Sequence, residues 1–253
     1  MYIKKMSHYP HNRRLTLCVV VCAIVMLALG AVAQPQVFER LTQRAIGRPP
    51  IAALYPASVS VARLKYTGGG DWYWGSSSVP NLLKFVRANA NWPVDTIEGR
   101  VEISDPDLFD YPFLFATGHG TLKLSDPDRA RLRVYLASGG FLFINDSYGM
   151  ETSVRAELVA LYPDRALVEL PFSHPLYTSY FVFSGGPPKI HEHDAKPPRG
   201  YGVIIDGRVV IYFLVESDIG DGWEDPQVHN DSPDKREQAL KMGVNLLAYA
   251  LRN

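Results

Sequence analysis

The chain has 253 residues, with 26 lysines plus arginines against 26 acids and two cysteines. That length suits one large domain or two small ones, and the balanced charge offers no basic surface of the kind nucleic acid requires. Both cysteines, Cys18 and Cys22, lie in the first 33 residues. The rest of the chain therefore cannot be a disulfide scaffold, a thiolate zinc site or a cysteine-nucleophile enzyme.

The N-terminus reads as an export signal. Lys4, Lys5, Arg13 and Arg14 form a basic segment without acids, Leu15 to Leu29 is almost wholly apolar, and Ala31-Val32-Ala33 supplies a small-x-small cleavage pattern. Cleavage after Ala33 leaves a chain with four more acids than bases, in the periplasm or outside the cell. The alternative is an uncleaved inner-membrane anchor, since residues 15–33 are just long enough to span a bilayer. Residues 34–56, with Pro35, Pro49, Pro50 and Pro56, form a linker or arm, and residues 57–253 form a single α/β domain.

In that domain Val59 to Tyr66 is the first strand candidate, followed by the loop Gly68-Gly69-Gly70-Asp71-Trp72-Tyr73-Trp74-Gly75. Three glycines let backbone approach something closely, and the aromatics offer an amphipathic surface that either stacks on a sugar or peptide or plugs the top of the sheet. No Gly-Lys-Ser/Thr follows, so the loop is not a P-loop, and its spacing is not a dinucleotide fingerprint. Ser78 to Asn91 predicts a helix with Pro80 in its first turn. Val101 to Ile103 is a short strand and Asp105 to Phe109 a helical turn.

The organising stretch runs from Tyr111 to Gly149. Phe113 to Ala116 is an apolar run that leads to Gly118-His119-Gly120. A helix starts at Ser125 or Asp126, with Pro127 where its missing N–H costs nothing, and stops at Gly139-Gly140. Phe141 to Ile144 is a second apolar run ending in Asn145-Asp146-Ser147-Tyr148-Gly149. Strand, helix, strand at this length is a βαβ unit with two parallel, doubly covered strands. Ligands of open parallel sheets sit at the edge where these strands end, which singles out Gly118, His119, Asp146 and Ser147, with Gly69, Gly70, Asp71 and Trp72 from the earlier loop.

Beyond it, Val154 to Leu161 predicts a helix, Ala166 to Leu170 and Phe181 to Phe183 extended pieces, and Pro171 to Tyr177 a proline-bracketed turn holding His174. Ser184 to Gly200 is a long four-proline loop, a lid or insertion. Asp206-Gly207 joins Tyr201–Ile205 to Arg208–Val215 as a hairpin with a type I′ turn. Ser217 to Asp234 is acidic and turn-rich, and Lys235 to Leu251 closes the chain as an amphipathic helix. The class is α/β with a mostly parallel sheet and a late hairpin.

Taken together, GGGDWY, ISDPDLFDYPFLFATGHG, LSDPDRARLRVYLASGGFLFINDSYG, LYPDRALVELPFSHPLYTSYF, DIGDGWE and GVNLLAYAL, from about Val59 to Leu251, resemble the bacterial domain of unknown function numbered 4159. The resemblance implies a three-layer, flavodoxin-like sandwich related to the class I glutamine amidotransferases. It also implies an envelope setting, because some relatives end larger membrane proteins of the aerotolerance-operon kind. It carries no assigned reaction. Many relatives have Asp-Asp-Cys where this chain has Asn145-Asp146-Ser147, which speaks against a thiol mechanism here.

The residues alone leave two chemistries open. Ser147 sits where a strand-end nucleophile would, with His119 or His174 as base and Asp146 or Asp71 as orienting acid. Its left flank, Asn145, is not small, and Asp146 and Ser147 equally suit a turn or helix cap. His191-Glu192-His193-Asp194 has histidine spacing that suits a metal on an extended segment, yet no third ligand is evident and a solvated loop accounts for it. Asp218, Asp221, Glu224, Asp225 and Asp231 lack the regular spacing of a calcium loop. The sequence thus favours a non-catalytic module binding a small ligand or an envelope protein at the sheet edge. The alternatives are a serine hydrolase and a structural subunit of a membrane complex. No cofactor or metal is expected.

Overall fold

The computed structural model describes residues 58–252, so the expected leader, cleavage site and linker lie outside the described residues. In chain order the elements are β1 (Val61–Lys65), α1 (Ser78–Ala90), β2 (Gly99–Glu102), β3 (Phe113–His119), α2 (Asp126–Ala137), β4 (Phe141–Tyr148), α3 (Glu151–Leu161), β5 (Val168–Glu169), β6 (Arg199–Ile205), β7 (Arg208–Val215), the short α4 (Ile219–Gly222) and α5 (Pro226–His229), and α6 (Pro233–Arg252). Short 3-10 turns precede β3 and follow β5.

One seven-stranded sheet runs β2-β1-β3-β4-β7-β6-β5. β2, β1, β3, β4 and β7 are mutually parallel, and β6 and β5 continue antiparallel. The chain leaves β1 outward to β2 and returns on the other side as β3, so the order reverses between β1 and β3 and opens a crevice at that sheet edge. The hairpin turn is as its residues demand: Asp206 and Gly207 both have positive φ, 50° and 78°.

Alternation along each strand divides the core into two layers. Phe113, Phe115, Phe141 and Phe143 point to the face covered by α1 and α6, where Phe113 stacks on Phe141 and Phe115 on Phe143. Leu114, Ala116, Leu142 and Ile144 point to the opposite face, under α2 and α3. This is a three-layer α/β arrangement. α2 begins where its sequence says, with Ser125 and Asp128 forming a capping box. Among the described residues no helix is long and apolar enough to cross a membrane.

Three stretches differ from their sequence expectation. The extended run at 166–170 forms a strand only over Val168–Glu169, with the Leu170 amide donating to the Gly200 carbonyl beyond it. Phe181 to Phe183 forms no strand. Instead, the fully buried Asn245 of α6 takes amide hydrogens from Tyr180 and Phe181 and donates to the carbonyls of Tyr177 and Phe181, which fastens that segment to the helix. The acidic stretch after β7 folds into α4 and α5, because Asp218 accepts the Asp221 amide hydrogen and Pro226 opens the second turn.

Candidate metal centre

The parallel strands end in polar residues whose alternation sends Thr117, Asn145 and Ser147 to the α1–α6 face. There they meet the turn that follows β7. Asn145 donates to Asp218 Oδ1 (2.8 Å) and Thr117 Oγ1 (3.1 Å), and its own oxygen accepts the Gly220 amide (3.2 Å). Ser147 Oγ lies 2.9 Å from Thr117 Oγ1. A Cβ on Gly220 would stand 2.9 Å from Asn145 Nδ2, so the glycine permits the contact. Glu216 and Asp218 hold φ of 59° and 58°, a left-handed conformation that side chains larger than glycine rarely adopt. Backbone held this way folds Asp218 back under the sheet edge.

Onto this base come two further connections. The amides of Ile190 and His191 both donate to the Ser217 carbonyl, which lays the proline-rich loop along the end of β7. α5 brings His229. The outcome is a chain of ligand-type atoms. His229 Nε2 is 3.3 Å from Asp221 Oδ2, which is 3.7 Å from His191 Nδ1. His191 Nδ1 is in turn 3.7 Å from Asp218 Oδ2, which is 3.7 Å from His193 Nε2. Ligand atoms of His191, Asp221 and His229 all lie within 4.8 Å of one another. Metal–ligand bonds of about 2.0–2.2 Å in a tetrahedral shell separate neighbouring ligand atoms by about 3.3–3.6 Å, so these spacings suit one divalent ion of the zinc class.

The surrounding groups aim these atoms. His191 Nε2 lies 2.9 Å from Asp231 Oδ2, which holds the ring with Nδ1 turned to the cluster. Trp74 Nε1 donates to Asp221 Oδ1 (3.0 Å), leaving Oδ2 for the histidines. Trp74 is itself held by Arg63, a fully buried guanidinium that pairs with Glu98 and donates to the carbonyls of Trp74 and Gly75. The Nε2 atoms of His193 and His229 are buried without a hydrogen-bond partner. Such atoms are costly unless something binds them.

The electrostatics point the same way. Burial works to raise the Asp218 carboxyl, but His191, His193 and the Asn145 amide outweigh it and hold it well below the usual range. Burial and the charge on Asp218 push Asp221 up to about 8. The pairing with Asp218, against burial, lifts His191 to about 9. His229 is lowered by burial and by His191. Without an ion the site thus carries protons on His191 and Asp221, positions a divalent cation would take. The cluster opens into a cleft of about 660 Å³ that Ser147, Tyr148 and His193 also line.

Of the residues singled out from sequence, His119 and Ser147 do lie at this edge. His119 Nδ1 is 3.1 Å from Asp71 Oδ2, and its ring meets Trp74 edge-on with centroids 4.9 Å apart. Ser147 has Thr117, Asn145 and Asp218 as partners and no histidine. His174 cannot serve it. It accepts the Leu176 amide and packs on Tyr249, whose hydroxyl accepts the Val209 amide at the start of β7, the opposite end of the strand. Trp72 turns to a separate pocket beside Lys65 and Glu102, and Trp74 is the indole that reaches the site. Asp146 faces the other layer and accepts the Met150 amide (2.9 Å), as a helix-entry residue does. Gly70 and Gly118 serve close approach: a Cβ on Gly118 would stand 2.7 Å from Asp71 Oδ1, and one on Gly70 2.8 Å from the His119 carbonyl. Gly69 has open space around it.

Sequence reasoning put His191 and His193 in a solvated loop for want of a third ligand. The structure supplies His229 and Asp221 from the acidic stretch, and the His193 side chain is only 7 % exposed. The one signal in the sequence was a lone histidine, His229, embedded in acids.

A family model described as a domain of unknown function (DUF4159) matches residues 60–251. No curated protein matches the chain.

Proposed function

We propose that this chain, which belongs to the DUF4159 family, is a metal-binding domain that holds one divalent transition-metal ion of the zinc class on His191, Asp221 and His229. The observation that carries the reading is the convergence of three ligand atoms within 4.8 Å of one another, two of them aimed by outer partners, with the His229 nitrogen buried and without a hydrogen bond. Three protein ligands leave a fourth position free, and the open cleft beside it suits a site that presents the ion to a small molecule. The strand order β2-β1-β3-β4-β7 supports a flavodoxin-like sandwich, in which ligands sit at this same edge. The basic and apolar leader supports export, so the site would work in the cell envelope. Ser147 as nucleophile is not favoured, since its hydroxyl is tied to Thr117 and Asn145.

Isothermal calorimetry of the metal-stripped protein with zinc and with cobalt(II) tests this. The expected result is one ion per chain, a tetrahedral cobalt absorption spectrum, and loss of both in His229→Ala. Stoichiometric binding that His229→Ala leaves unchanged would refute the assignment.

A further inference from the structure

An ion on His191, Asp221 and His229 leaves one buried histidine of the cleft unexplained. His193 lines the same cleft, two residues beyond the ligand His191. Its side chain is only 7 % exposed, yet its Nε2 has no hydrogen-bond partner. The ring is fixed by contacts of its own. It meets the Tyr148 ring with centroids 5.2 Å apart, the Tyr148 hydroxyl donates to Asp194 (3.1 Å), and the Asp194 amide donates to Glu216. An imidazole nitrogen held in place, desolvated and unbonded is costly unless something binds it. The first ion does not supply that relief, because His193 is not among the ligand atoms that lie within 4.8 Å of one another.

What His193 Nε2 faces is Asp218. Asp218 Oδ2 lies 3.7 Å from His193 Nε2 and also 3.7 Å from His191 Nδ1. The other oxygen is already engaged, since Oδ1 accepts from Asn145 Nδ2 (2.8 Å) and from the Asp221 amide (3.3 Å). Asn145 thus aims Oδ2 between the two histidines. The 3.7 Å spacing is close to the separation of about 3.3–3.6 Å between neighbouring ligands of one tetrahedral ion. The charge also leaves room for another cation. The carboxylates of Asp218, Asp221, Asp231 and Glu224 each come within 4.0 Å of a histidine of the cluster. No lysine or arginine among the described residues lines the cleft. One divalent ion offsets only part of that negative charge.

We propose that the cleft holds a second divalent ion of the zinc class, bound by His193 Nε2 and Asp218 Oδ2 with water completing its shell, and that Asp218 bridges the two ions. The inference rests on the metal reading above. With two protein ligands against three, the second site is the weaker and fills after the first.

The test carries the cobalt(II) titration of the metal-stripped protein past the first equivalent, followed by calorimetry and by electron paramagnetic resonance. Wild type should take up the first ion and then a second in a separate, weaker phase. The resonance intensity at two equivalents should fall short of twice that at one, because neighbouring spins couple through the shared carboxylate. His193→Ala should abolish the second phase and leave the first Kd unchanged. His193→Gln, which keeps the bulk of the ring, should do the same, with circular dichroism to confirm the fold. Asp218→Asn should abolish the second phase and weaken the first. A single phase in wild type, a second phase that survives both His193 variants, a first phase lost with His193, or strictly additive resonance intensity would each overturn the proposal. Absence of the first phase, or a first phase that His229→Ala leaves intact, would strike the metal reading and this inference with it.

Discussion

Asp231→Asn isolates one outer contact of the metal centre. Asp231 touches the ion's ligand His191 and not the ion, through Nε2–H to Oδ2 at 2.9 Å, and its side chain is 7 % exposed. An asparagine keeps the size and one acceptor oxygen, so the imidazole stays in place. What disappears is the negative charge that makes Nδ1 a better donor to the ion and secures its tautomer. Loss of such a partner typically weakens metal binding by about 10–100-fold, which corresponds to about 1.4–2.7 kcal/mol. Calorimetric titration of zinc into metal-stripped wild type and Asp231→Asn reads this directly, with circular dichroism to confirm that the fold is retained. An affinity within twofold of wild type would refute the argument that His191 binds through Nδ1 with Asp231 behind it. A loss as complete as that of His229→Ala would make Asp231 a ligand itself.

Three further outcomes follow from the same geometry. Because His191 and Asp221 hold their protons to about pH 9 and 8 in the metal-free protein, zinc must displace them, so apparent affinity should rise with pH from 6 to 8, by about 10- to 100-fold per unit; calorimetry in buffers of different ionisation enthalpy counts the protons, and zero release would contradict the assignment. Asn245→Leu removes four hydrogen bonds that hold 177–181 to α6 and should destabilise the fold by about 3 kcal/mol, lowering Tm by roughly 6–12 °C in a scanning measurement. Arg63→Met leaves the buried Glu98 with only the half-exposed Arg100 as its partner and frees the Trp74 loop, for a loss of about 3 kcal/mol in a urea titration, and adding Glu98→Gln should recover part of it.

The central βαβ unit was legible because each of its parts has a local cause. Phe113 to Ala116 and Phe141 to Ile144 are apolar on both faces, Ser125 and Asp128 cap the helix between them, and Gly139 with φ of 106° ends it. That His119 and Ser147 lie at the ends of neighbouring strands followed from the same reasoning, although the two side chains have different partners. Phe181 to Phe183 was misread as extended because the polar anchor that fixes it, Asn245, lies far along the chain inside an otherwise apolar helix face. The metal ligands were hidden for a related reason. His191 comes from a proline-rich loop, Asp221 from a one-turn helix and His229 from another, so no spacing joins them. Only the order of β7 next to β4 brings the three connections to one rim.

The cost of that rim to the fold argues that it serves more than folding. Glu216, Asp218 and Asn230 all sit at positive φ within one short stretch, although none is glycine. Strain of this kind costs about 1–3 kcal/mol per residue and persists where surrounding structure imposes it. The same stretch buries two carboxylates close enough for the charge on Asp218 to raise Asp221, and leaves the His229 Nε2 without a hydrogen bond. Apolar side chains at these positions would fold at lower cost. A divalent cation on His191, Asp221 and His229 relieves the largest of these penalties, since it offsets the paired negative charges and occupies the His229 nitrogen. The domain should therefore be markedly more stable with zinc than without it, by about 4 kcal/mol at a thousandfold excess over Kd. A melting temperature that saturating zinc leaves unchanged in wild type would remove the reason for the strain.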